Sequence, residues 1–115
     1  MTAYCLGKPG AWADNPWSHE HPVIKVGPGE RGKIFAFLGD SGVGIKAAST
    51  REAADEWLHR YPGSANKMAY IGRSGWNDLA FDGIPDDELL EAVDESYRLV
   101  VERLSKKLRP DGWDT

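Results

Sequence analysis

Eight apolar side chains, Leu89, Leu90, Val93, Tyr97, Val100, Val101, Leu104 and Leu108, recur at helical spacing in the last third of the chain. They form one continuous stripe over roughly six turns. A stripe of that length is stable in water only against an apolar surface of comparable length. The strand-like runs upstream are the surface the chain offers. The spacing therefore predicts a long C-terminal helix lying across a sheet. Asp86 is its expected N-cap, Asp87 and Glu88 suit the first turn, and Pro110-Asp111-Gly112 is its expected stop.

The sheet is read from three short runs. Val23-Ile24-Lys25-Val26 is branched and short; Gly27 to Gly32 carries too much Gly and Pro for a helix or a central strand and reads as a hairpin loop. Lys33 to Leu38 follows, with Phe35 and Phe37 expected on one face and Ile34, Ala36 and Leu38 on the other. Gly39 to Gly42 turns the chain, and Val43 to Ala47 returns as a third antiparallel strand. Ser49 and Glu52 have the spacing of a capping box before a helix whose stripe is Ala53, Ala54, Trp57, Leu58 and Tyr61. A brief strand is expected around Met68-Ala69-Tyr70, and another over Gly75 to Phe81. Residues 1–22 read as irregular, because Pro9-Gly10 and Asp14-Asn15-Pro16 both signal turns, and residues 110–115 read as a tail.

Length and charge narrow the class. At 115 residues the chain fits one domain, 1–115, with one core. A formal net charge of −4 argues against a dedicated nucleic-acid binder, whose affinity comes largely from neutralising phosphates. The charges are nonetheless segregated: Asp82 to Glu95 holds seven acids and no base, and Arg98 to Arg109 holds five bases and one acid. An acidic start and a basic end suit a helix dipole. A lone cysteine, Cys5, excludes an internal disulfide and favours a reducing, cytoplasmic setting. No signal peptide is visible at the start, and no apolar run is long enough to span a bilayer.

Several stretches, in order and spacing, resemble the MmcQ/YjbR family. They are Pro9-Gly10, Pro16-Trp17 to His21, Val23 to Val26, Gly32 to Ala36, Ile45-Lys46, Tyr61-Pro62-Gly63, Gly75-Trp76, Ile84-Pro85-Asp86 and Asp94 to Val100. The resemblance covers about Cys5 to Arg109. It implies a CyaY-like α+β fold, an antiparallel sheet of four or five strands with helices packed on one face. It also implies the DNA-binding label that members carry from a double-wing structural analogy. The chain departs from the family pattern at its front, where only eight residues precede Pro9, so the usual first helix is expected to be shortened or absent. Fold alone does not carry function.

Candidate site residues follow. Lys25, Lys33 and Lys46, with Arg31 at the hairpin tip and Arg73 on a later loop, are expected to form a nucleic-acid or anion-binding patch. Trp76 and Trp17 would add stacking surfaces. Against this stands the plainer expectation that sheet lysines are solvated and guard strand edges. His19-Glu20-His21 is the one close histidine pair; a metal there needs further ligands, for which Asp14 and His59 are the obvious additions. The acids Asp86, Asp87, Glu88, Glu91, Asp94 and Glu95 offer an acidic helix face of the kind a metal-handling or protein-interaction domain uses. No nucleophile–base arrangement stands out: Ser96 has no Gly-x-Ser-x-Gly surround, and Gly39 to Gly44 lacks the ending of a phosphate loop.

The expectation is thus a monomeric, non-enzymatic binding module without cofactor or resident metal, directed at nucleic acid through the basic patch. The alternative is a protein-interaction or metal-handling domain.

Overall fold

The computed structural model describes residues 1–16 and 20–115, so that Trp17 and His19 lie outside the described residues. Three helices and six strands follow in the order α1 (Thr2–Leu6), β1 (Ala11–Asp14), β2 (Val23–Val26), β3 (Lys33–Leu38), β4 (Gly42–Lys46), α2 (Arg51–Arg60), β5 (Ala65–Lys67), β6 (Trp76–Ala80) and α3 (Asp86–Glu102). The strands form one sheet, ordered β1-β2-β3-β4-β6-β5, with every neighbouring pair antiparallel. Four or five strands were expected; the strand not anticipated is the edge β1, and the other edge, β5, lies upstream of its expected place. β1 lies between the turn signals that made the front of the chain look irregular, and β5 is a three-residue strand without a branched side chain. The brief strand thus lies at Ala65–Lys67 and not around Met68-Ala69-Tyr70.

α3 crosses β2, β3 and β4, as its stripe requires, and α2 covers β5 and β6. α1 is a helix of five residues where the front of the chain was expected to be irregular. Its Cys5 is fully buried in the main cluster, and burial pushes the thiol up to about 11. Tyr4 and Lys8 both bond Asp94 of α3, fastening the front of the chain to that helix.

The ends of the helices differ from the expected ones. α2 is capped by Thr50, whose Oγ1 accepts from Ala53 N at 3.1 Å, one residue beyond Ser49. α3 has Pro85 at its N-cap, with Asp86, Asp87 and Glu88 forming the acidic first turn. The helix stops at Glu102, so that of the five bases only Arg98 lies within it. A later 3-10 turn, Lys106–Leu108, lets Arg109 fold back and donate to Glu102 O at 2.8 Å and Leu104 O at 3.1 Å. One guanidinium thereby satisfies carbonyls left open near the helix end.

Strand alternation breaks inside β3. The pairing with β2 shifts between Ile24 and Lys25, so Phe35 is the extra residue of a bulge. Phe35 and Ala36 are consequently both buried, instead of pointing to opposite faces. The Phe35 ring meets Tyr97 edge-on, with centroids 5.2 Å apart, while Phe37 meets Trp76 at 5.6 Å. Ser96, fully buried in the middle of α3, occupies the place where the β3–β4 ladder opens. Its hydroxyl donates to Phe35 O at 2.7 Å and accepts from Lys46 N at 2.9 Å. The serine does more than bond its own helical turn: it pins the helix to the sheet.

A second polar knot joins α2 to β6. Arg51 donates to Asp55, to Gly72 O, to Trp76 O and to the carbonyl of the buried Asn77, whose amide donates to Ala54 O at 2.9 Å. Gly75, just before β6, has φ +99°, and a Cβ there would stand 2.0 Å from Ala48 O. That approach explains why glycine precedes Trp76.

Candidate functional site

The six residues of the expected patch do not share one surface. Lys25 lies 2.7 Å from Asp14 Oδ2 on the neighbouring strand, with its ammonium 5.3 Å from the centre of the Trp12 ring. The hydrogen bond from Lys25 holds the Asp14 carboxyl below the usual carboxylate range. Lys46 is only 6% exposed, and its Nζ donates to Ser74 O at 2.8 Å. Burial, helped by the charge of Arg103, lowers its ammonium pKa. Arg31, Lys33 and Arg73 are exposed. Lys25 is registered with Ile34 and Lys33 with Val26, so alternation sends Lys25 and Lys33 to opposite faces of the sheet. Trp76 is half-buried against Phe37 and leaves part of its ring open.

The acidic start of α3 is likewise engaged in part. Glu88 bonds Arg60 and Tyr61, Asp94 bonds Tyr4 and Lys8, and Glu95 bonds Arg98. Asp86, Asp87 and Glu91 remain exposed at the surface.

A different cluster is assembled by strand register. Pro22 favours an extended backbone at His21, and β2 then begins at Val23. Val23 pairs with Phe37, so continuing the antiparallel ladder two residues carries His21 to the level of Gly39. Gly39 N donates to Gly42 O at 3.1 Å, closing the β3–β4 connection around Asp40 and Ser41. Asp40 is thereby presented beside His21, with Glu20 next to it. Glu20, His21 and Asp40 each offer a ligand atom, and these atoms lie within 4.8 Å of one another. Among the described residues this is the one such group.

The local chemistry is unusual. His21 Nε2 is 2.9 Å from Asp40 Oδ1 but off the line of a hydrogen bond, so that among the described residues this buried nitrogen has no hydrogen-bond partner. A buried polar atom without a partner is costly. An imidazole nitrogen facing carboxylate oxygens is a mixed N/O donor set, suited to first-row divalent ions such as Mn, Fe, Co, Ni or Zn. Three protein ligands would leave coordination positions open for exchange. His21 and Glu20 come from the histidine pair noted in the sequence, whereas the expected additions lie elsewhere: Asp14 bonds Lys25, and His59 is exposed on α2. Asp40 was missed because a Gly-rich turn looks structural. Only the register of β2 on β3 shows which side chain lies beside it.

Comparison with known proteins adds the following. The YjbR family model matches residues 6–99. The crystal structure of Deinococcus radiodurans protein DR2400, with domain DUF419, is similar at a TM-score of 0.81 and 23% identity, covering 93% of this chain and 80% of that one. No curated protein matches the chain.

Proposed function

The chain belongs to the YjbR family, and from that premise we propose that it is a non-enzymatic, metal-handling domain whose site is Glu20, His21 and Asp40. The family is generally non-catalytic, consistent with a domain that binds and does not transform. The observation that carries the reading is the buried Nε2 of His21, without a hydrogen-bond partner among the described residues and turned toward a carboxylate. A divalent cation between the two groups would satisfy the nitrogen and both acids together. The open, partly exposed geometry suits uptake and release better than permanent retention. The six-stranded sheet with helices against one face supports a CyaY-like arrangement, and the single buried Cys5 supports a reducing, cytoplasmic setting.

Calorimetric titration of chelator-stripped protein with Mn(II), Co(II) and Zn(II) tests the site. One equivalent of at least one ion is expected to bind, and Asp40→Asn or His21→Ala should weaken it by about tenfold or more. Binding of equal strength in the doubly substituted protein would overturn the assignment.

A second reading, nucleic-acid binding, draws support from a different place. Tyr70 is fully exposed at φ +65°, followed by the exposed Ile71 and Arg73. A bulky residue held at positive φ on a loop tip is a mark of a contact surface. Arg31 and Lys33 offer further free charge, but the pairing of Lys25 and the burial of Lys46 remove two of the cations on which this reading relies.

A further inference from the structure

The loop that joins β5 to β6 holds a tyrosine in a conformation that bulky side chains seldom adopt. Tyr70 has φ +65°, and Ile71 N donates to Ala69 O at 2.7 Å across it. A bond that spans a single residue at positive φ is the strained form of the γ-turn. Its effect is to lift the tip clear of the fold: Tyr70 is fully exposed, and Ile71 beside it is exposed as well. Two bases flank this tip. The stem of Lys67 lies over Gly72, where any Cβ would run into it, and Arg73 follows on the exposed side of the next turn. Among the described residues neither base has an ion pair, and the stretch from Ala65 to Asn77 holds no acid. Backbone strain of this kind gathers where a chain meets something outside itself.

A surface complementary to the tip exists on the same molecule. At the start of α3 a cleft of about 320 Å³ is lined by Met1, Phe81, Asp86, Leu89 and Leu90. Four of the five are apolar, and the space is ample for one phenol ring. Asp86 is exposed on its rim, with the exposed Asp82 and Asp87 beside it in sequence. Among the described residues these three acids bond nothing, whereas Glu88, Asp94 and Glu95 further along are all engaged. An aromatic ring between two cations thus matches an apolar cleft under unpaired carboxylates. Tip and cleft lie at opposite ends of β6: Met68 N donates to Trp76 O at its start, and Phe81 follows its last residue. That strand is about 17 Å long at the usual rise, so a tip does not reach its own cleft. A two-fold axis across β6 brings each tip level with the cleft of a second copy and closes the pair.

We propose that the chain self-associates as a closed dimer in which the Tyr70–Ile71 tip of each copy enters the cleft of the other, with Lys67 and Arg73 against Asp86 and the acids beside it. Tyrosine and arginine are the side chains that most often anchor an interface. The contact is small, so it holds two copies together only at micromolar to millimolar concentration. It is separate from the metal ligands and stands without them.

Sedimentation of the full chain in EDTA across that concentration range tests it, with amide NMR spectra recorded along the same dilution series. The mass is expected to rise from one copy toward two, and less so at high salt. Shifts should appear together at the tip, from Tyr70 to Arg73, and at the cleft, on Phe81, Asp86 and Leu90. Tyr70→Gly removes the anchor and suits the positive φ, so its urea midpoint should match or exceed that of the wild type. Its association is expected to fall about tenfold or more, and the shifts at the distant cleft should vanish with it. Asp86→Lys sets like charges against the tip and should weaken association most at low salt. A single-copy mass at every concentration, shifts confined to other surfaces, or undiminished association of Tyr70→Gly would overturn the proposal. Tip shifts that arise only when a DNA oligonucleotide is added would overturn it too, and would assign the loop to nucleic acid instead.

Discussion

Replacing Phe35 with alanine is expected to lower the unfolding free energy by about 3–5 kcal/mol, the range for deleting a fully buried aromatic ring. Phe35 is 0% exposed and occupies the bulge of β3, where no alternation rule compels it inward. It is held there by the edge-on ring of Tyr97. The Tyr97 hydroxyl is fixed in turn by a 2.6 Å bond to Pro9 O, and burial pushes its pKa up to about 12. The cavity left by alanine would lie between α3 and the sheet. Neighbours anchored in this way have little freedom to collapse into it. Urea unfolding should show a lower midpoint at unchanged slope. A loss under about 1 kcal/mol would mean that the interface repacks, and that the bulge does not depend on its ring.

That bulge marks the boundary of what the sequence discloses. The long stripe from Leu89 to Leu104, the three-strand meander and the helix after Thr50 are all visible as periodicity, because each buries one face. The edge strands were least legible, for they bury little: β1, with no fully buried residue, was missed, and β5, with only Ala65 buried, was expected three residues too late. A period-two pattern likewise places Phe35 and Phe37 together, and only the extra residue in β3 separates them into a core ring and a ring on the open face. The C-terminal basic run looked like the end of one continuous helix. Its Arg109 instead serves the helix by turning back upon it.

The candidate sites obey the same division. Lysine positions can be read from sequence, but not their partners. Lys25 finds Asp14 across a strand pair that was not anticipated, and Lys46 lies beneath the 3-10 turn Gly72–Ser74. His21 and Asp40 are 19 positions apart, joined by register alone. Chemistry that depends on neighbours in a sheet becomes legible once strand pairing and register are known, and not before.

Ser96 carries the second large effect, and its origin differs from that of Phe35. Its side chain is small, so Ser96→Ala removes almost no apolar packing. What it removes is the single oxygen that serves two main-chain groups at once, the amide of Lys46 and the carbonyl of Phe35. Both groups are buried at the point where β3 and β4 part: the paired register ends at Ala36 and Ile45, so Phe35 and Lys46 are the next pair, and the hydroxyl bridges them. Leaving a buried donor or acceptor unpaired costs about 1–3 kcal/mol each, so Ser96→Ala is expected to cost about 2–4 kcal/mol in all. Denaturant midpoints measure the total, and hydrogen exchange locates it. The Lys46 amide should lose protection well beyond the global loss, while amides within β2 and β6 follow the global change only. If Lys46 keeps its protection and the midpoint moves by less than about 0.5 kcal/mol, a water takes the hydroxyl's place. The attachment of α3 to the sheet would then rest on its apolar stripe alone.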